Sequence, residues 1–347
     1  MKIGLFDHVE RSDLPLATQF DERLRFVAAA DEAGIYAYHV AEHHGSPLNM
    51  VPVPGIYLGA VARATKRIRL GPLVYLLPLC SPLRLIEEIC MLDHLSYGRL
   101  EVGVGRGVSP FELGFHQIDY HRSRDIFIDA FECIRAGLTS ETFSYSGENF
   151  TYANVPMPLR PLQQPHPAFW YGSSNIIGAT FAGERGLHFI TNGATERARI
   201  NIEAFKLALE KRGGPASPKA EFPGGTAIGV LRQIVVADTD ERAKHIAKPA
   251  FEHHFANLNY LRSLNASSDF VQRLHIPAST TFEDCVEEGI VICGSPETVR
   301  TAIERQVDEL GINYLLAYLF FGTMSLVDAL RSLALFGTEV MPRIAHL

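Results

Sequence analysis

From end to end the chain alternates short apolar runs with amphipathic stretches of helical period, and this limits the folds open to it. Lys2–Phe6, Ile35–Ala41, Ile68–Leu77 and Leu100–Val104 read as strands in the first half. Phe169–Gly172, Leu187–Thr191, Ala227–Val236 and Asn313–Phe321 read as strands in the second. Ile68–Leu77 is almost wholly apolar, as suits a parallel strand buried on both faces. Between the strands, helices are predicted over Phe20–Ala33, Arg122–Ala136, Asn175–Arg185, Thr195–Lys211, Asp240–Phe255 and Ser325–Phe336. Ser81-Pro82 and Ser295-Pro296-Glu297 pair an N-cap with proline at the first helical position, and each starts a further helix.

About eight βα units imply a parallel sheet with helices packed outside it. The fold class expected is α/β, a (β/α)8 TIM barrel of about 250 residues with insertions. A doubly wound open sheet is the alternative, because strand count alone does not show closure. The 347 residues are read as one domain, 1–347. The excess length goes to an irregular insertion at about 256–290, within Ala256–Glu288, and to loops near 107–121 and 137–167.

Composition narrows the function. Thirty-two Lys+Arg against 39 Asp+Glu give a net charge of −7 and no dense basic run, so nucleic acid is not an expected partner. No stretch approaches the ~20 apolar residues of a membrane span, and Asp7 and His8 come too early for a signal peptide. Five scattered cysteines without a C-x-x-C pair suit reduced thiols and a cytoplasmic location.

In a barrel, chemistry sits at the C-terminal strand ends. Those ends carry His8, Glu42-His43-His44, Tyr75, Gly105-Arg106, Ser173-Ser174-Asn175, Asn192 and Phe320-Phe321. His39-Val40-Ala41-Glu42-His43 spells an inverted zinc-protease motif. In a strand, however, its two histidines stand ~13 Å apart, too far for one metal. His43 and His44 read either as proton-handling groups at a barrel mouth or as loop histidines. Gly103-Val104-Gly105-Arg106-Gly107 lacks the last glycine of a dinucleotide fingerprint, since Val108 stands there. It reads either as a tight turn or as glycines that admit a ligand while Arg106 binds a phosphate or carboxylate. Ser173-Ser174-Asn175 lead directly into a helix, which gives an anion site or an ordinary cap.

In order along the chain, Ala41-Glu42-His43-His44, Arg69-Leu70-Gly71, Ser81-Pro82-Leu83-Arg84, Leu92 through Leu100, Gly103 through Gly107, Glu184-Arg185-Gly186-Leu187 and Gly294-Ser295-Pro296-Glu297 resemble the bacterial luciferase-like flavin monooxygenase family. The resemblance implies a TIM barrel that binds reduced FMN at the strand C-termini, supplied by a separate flavin reductase. It then uses O2 to oxygenate a small organic substrate. It implies His43 as the catalytic residue. It implies Arg106, Ser173, Ser174 and Asn175 on the FMN phosphate, and Leu73, Val74 and Gly105 beside the flavin, with a non-proline cis peptide near Leu73-Val74. It further implies a homodimer and a mobile loop over the site in the Ala256–Glu288 region. Some relatives use a deazaflavin for hydride transfer and others bind flavin without catalysis, so both stand as alternatives. Luciferase proper has cysteine where Gly105 stands, tryptophan where His39 stands and a serine where Asn175 stands, so light emission does not follow. Eight βα units leave no stretch for a nicotinamide module, so electrons are expected to arrive with the flavin.

Overall fold

A computed structural model describes residues 1–273 and 280–347. Among the described residues twelve strands form in chain order. They are β1 Lys2–Asp7, β2 Ala37–Val40, β3 Arg69–Pro72, β4 Tyr75–Leu76, β5 Val102–Gly105, β6 Thr142–Ser146, β7 Thr151–Pro156, β8 Phe169–Gly172, β9 His188–Thr191, β10 Ile228–Val236, β11 Val291–Gly294 and β12 Tyr314–Tyr318. All but β6 and β7 belong to one sheet, whose path runs β3-β2-β1-β12-β10-β9-β8-β5-β4 with β11 paired to β10. Every pairing in this sheet is parallel. The ends of the path, β3 and β4, are successive pieces of one segment, and a parallel bridge from Leu70 to Leu100 ties that segment to the chain entering β5. The sheet thereby curls into a nearly closed barrel, as expected, rather than an open doubly wound sheet.

Several elements differ from the sequence reading. The single strand Ile68–Leu77 is two strands, because β3 pairs with β2 while β4 pairs with β5. Between them the Leu73–Val74 peptide bond is cis. The sequence reading assigns nothing between residues 41 and 68, yet Pro54–Ala64 is a helix opened by proline at its first turn. Its Pro52-Val53-Pro54-Gly55 entry reads locally as a loop. The helix predicted to stop at Phe255 runs over Asp240–Leu264, so much of the expected irregular insertion is helical, followed by Asp269–Arg273 and Phe282–Glu287. Residues 274–279 of that insertion lie outside the described residues. The short strand β11 and the antiparallel β6–β7 hairpin also go unread in the sequence.

Large side chains fill the barrel floor. Trp170 and Tyr314 are fully buried, with ring centroids 5.1 Å apart. Gly4 makes room for them: a Cβ there would meet the Tyr314 hydroxyl at 1.8 Å. Among these rings lies Glu101, which is wholly buried. It accepts a hydrogen bond from Trp170 Nε1 at 2.7 Å and pairs with both Arg69 and Lys219. His39 belongs to this floor, 0% exposed and 3.0 Å from the Tyr314 hydroxyl. The two histidines of the zinc-like motif therefore serve different layers, and no group of residues suited to a metal forms among the described residues. No described helix is long and apolar enough to cross a membrane. Cys90 and Cys133 are core residues, 0% exposed.

Candidate active site

Strand alternation sets what faces the mouth. On β1, Phe6 and the following His8 point inward, while Asp7 points outward to Arg23 at 3.2 Å. Beyond β2, Glu42, His43 and His44 form a carboxylate–imidazole network. His43 Nδ1 lies 3.2 Å from Glu112 Oε1, the backbone N–H of His44 donates to Glu112 Oε2 at 2.9 Å, and His44 Nε2 lies 3.0 Å from Glu42 Oε1. The Leu76 N–H donates to the other Glu42 oxygen at 3.1 Å, which fixes that side chain against β4. Burial alone would raise the Glu112 carboxyl, but the hydrogen bonds from His43 and the His44 amide hold it below its ordinary value. An ionised Glu112 accepts at His43 Nδ1, which leaves the lone pair of the neutral ring on Nε2. Glu112 escapes sequence reading because it is 69 positions from His43. Its local signal, Ser109-Pro110 before it, marks only a helix start, and Ser109 does cap the Glu112 amide.

On the other side of the mouth, β5 and β8 are neighbours in register, Val104 opposite Tyr171, so Arg106 and Ser173 leave adjacent strand ends. Arg106 has no acidic partner among the described residues. Its contacts are with Tyr120, whose hydroxyl is 3.4 Å from Nη2 and whose ring centre is 5.0 Å from the guanidinium carbon. Asn175 caps the helix Ile176–Arg185, its Oδ1 accepting from the Gly178 N–H at 3.0 Å. The Ser173 hydroxyl is turned inward to the Asn175 backbone, while Ser174 and the first turn of the helix are exposed, with Ile177 at 62%. The first-turn amides of a helix lack intrahelical partners, so an arginine beside such an end suits a phosphate group.

Between the two sides lies the cis segment. A Cβ on Gly105 would stand 2.4 Å from Val74 Cγ2, and one on Gly172 would stand 3.9 Å from Val74 Cγ1. Val74 thus occupies the space that a side chain at position 105 would need. Gly105→Ala is expected to cost about 1–3 kcal/mol in urea unfolding, because a β-branched side chain cannot rotate away freely. Adding Val74→Ala should remove most of that loss.

Two other strand-end residues face elsewhere. The Tyr75 hydroxyl donates to Glu88 at 2.6 Å, and Phe320 packs on Phe26 and under Arg23. Both belong to the layer between barrel and helices. Within the insertion, Phe270 packs against Phe111 and Tyr120, with centroids 6.0 and 5.8 Å away.

A family model described as luciferase-like monooxygenase matches residues 1–314. The chain is 37% identical to a Sinorhizobium fredii protein named uncharacterized protein y4wF, over 99% of this chain and 97% of that one. It is 28% identical to 2,5-diketocamphane 1,2-monooxygenase 1 of Pseudomonas putida, over 90% of each. Among solved structures, the oxygenating constituent of 3,6-diketocamphane monooxygenase of Pseudomonas putida, in complex with FMN, superposes with a TM-score of 0.83 at 22% identity, covering 99% of this chain and 98% of that one. That likeness speaks to the fold.

Proposed function

The chain belongs to the luciferase-like monooxygenase family, and on that premise we propose that it is the oxygenase of a two-component flavin system. It takes reduced FMN from a separate flavin reductase and, with O2, adds one oxygen atom to a small organic molecule. The observation that carries this reading is the pairing of two halves at one barrel mouth. One is an arginine with no acidic partner among the described residues, on the strand end next to the N-terminus of the helix Ile176–Arg185. The other is an imidazole held by a buried carboxylate.

The residues fit FMN. Arg106, the Ser174 hydroxyl and the first-turn amides would hold its phosphate. Val74, lying against Gly105, offers an apolar support for the ring system. Bound reduced FMN supplies the activation of O2. His43 takes or gives the proton that this chemistry requires, and Glu112 orients its ring. Phe6 and Tyr318, with ring centroids 5.6 Å apart, line the inner wall and limit water there.

The reading is tested by supplying photoreduced FMN, 18O2 and a panel of small neutral organic molecules. One 18O atom per product molecule is expected. Turnover with reduced deazaflavin and none with reduced FMN would overturn it.

A further inference from the structure

Three imidazoles stand in a row at the mouth, and the proposed function uses only one of them. The His8 ring lies between His43 and His254, with centroids 5.5 Å from each. The outer two are anchored alike: His43 Nδ1 on Glu112 at 3.2 Å, and His254 Nδ1 on Glu10 at 2.9 Å. Glu10 is 1% exposed and its carboxylate is saturated. It also accepts from Tyr318 Oη at 2.8 Å, Asn257 Nδ2 at 3.0 Å and the Gly322 N–H at 3.2 Å. Against the cost of burial, the His254 ring above all, with His8 and the Asn257 amide, holds it well below the ordinary carboxylate range, so it is a fixed negative charge. Three distant parts of the chain converge on it: the end of β1, the long helix Asp240–Leu264 and the end of β12.

His8 is the exception in the row. It is 8% exposed, and its Nδ1 is buried without a partner. A buried lone pair left unpaired costs less than a buried N–H left unpaired, so the His8 proton belongs on Nε2. His43 and His254, donating through Nδ1, present Nε2 lone pairs. The wall therefore offers one donor between two acceptors, and the donor has no protein acceptor among the described residues.

The charges on this wall are one-sided. Glu10 and Glu112 face it, with Glu42 behind His44. Burial and the two flanking imidazoles push the His8 ring well below the usual range, so it is neutral. The guanidinium of Arg23, which also bears on His8, is committed to Asp7 and the Phe320 carbonyl. Glu10 and Glu112 are held ionised while His8 is neutral, so the wall offers no surplus positive charge. A carboxylate ligand finds no spare cation here. An ammonium ligand finds Glu10 already filled with donors and must shed its water against Phe6 and Tyr318.

We propose that His8, His43 and His254 form a substrate wall that takes a neutral organic molecule by an oxygen atom, with His8 Nε2–H as the donor, and discriminates against anionic and cationic analogues. Calling the ligand a substrate rests on the proposed function; the binding selectivity does not.

The test uses the full chain with 15N-labelled histidine, with and without FMN. The probes are cyclohexanone, cyclohexanecarboxylate and cyclohexylammonium, which share one ring. Cyclohexanone is expected to shift the His8 and His254 ring nitrogens saturably, and the charged probes to bind at least about tenfold more weakly. His8→Phe keeps a ring in place and should abolish the ketone response, while Glu10→Gln should weaken it about tenfold. Equal or tighter binding of either charged probe overturns the proposal, and so does absence of any shift with cyclohexanone. An anaerobic titration of the same chain with photoreduced FMN, followed by absorbance, separates the two readings. Ketone selectivity without FMN binding sinks the proposed function and keeps the wall, whereas FMN binding without ketone selectivity does the reverse.

Discussion

Replacing Glu101 with alanine is expected to lower the unfolding free energy by about 3–5 kcal/mol, the cost of breaking a buried ion pair from one side. The carboxylate is wholly buried and serves three donors, Arg69, Lys219 and Trp170 Nε1. Without it two cations face each other inside the barrel floor, and the indole N–H has no acceptor. Glu101→Gln keeps an acceptor but no charge, so it should fall between the two. Urea denaturation followed by far-ultraviolet circular dichroism measures this, and a loss below about 1 kcal/mol for the alanine variant contradicts it. The same residue sets a pH dependence. Burial opposes ionisation, but Arg69 and Lys219 bring its carboxyl down from 4.5 to about 2. A group whose folded value is depressed favours the native state above its unfolded value. The Glu101 contribution is therefore complete above about pH 4.5 and lost as pH falls toward 2. In Glu101→Gln that segment of the acid-unfolding curve should flatten.

The second large effect concerns turnover. His43→Ala is expected to reduce it about 10²–10⁴-fold, the range for removing a positioned proton-transfer group. Stability and FMN affinity should stay near wild type, because the His43 side chain is 23% exposed and its one carboxylate partner keeps the His44 amide. Glu112→Gln acts through the imidazole. It should lower turnover less and alter the pH–rate profile, since the imidazole stays but its Nδ1 acceptor loses its charge. Stopped-flow turnover at several pH values separates the two roles. An unchanged rate in His43→Ala contradicts the assignment.

Much of this was legible in the residues. Period and caps place most strands and helices, because each barrel strand is buried on both faces and each helix on one. The failures have physical causes. Ile68–Leu77 is uniformly apolar, so nothing in its pattern marks where β3 leaves β2 and β4 joins β5. Pro54–Ala64 opens with Pro and Gly and hides among loop signals. Strand ends bring His8, His43, Arg106 and Ser173 into view one by one, since each follows an apolar run. Their partners stay hidden. Glu112 and His254 come from segments 69 and 244 positions from the residues they bind, and local pattern carries no information on such pairing. Gly105 illustrates the same limit. Its lack of a side chain is plain in sequence, but only the fold shows that Val74 fills the gap.

The central claim is that the mouth holds a flavin by its phosphate, through Arg106 and the start of the helix Ile176–Arg185. The most direct measurement is an anaerobic titration of the wild-type chain and Arg106→Ala with photoreduced FMN and with photoreduced riboflavin, which differ only in the phosphate. Wild type is expected to bind FMN about 10–100-fold more tightly than riboflavin, as a charge-assisted contact implies, and Arg106→Ala to lose most of that preference. Equal affinity of the wild-type chain for the two flavins would contradict it.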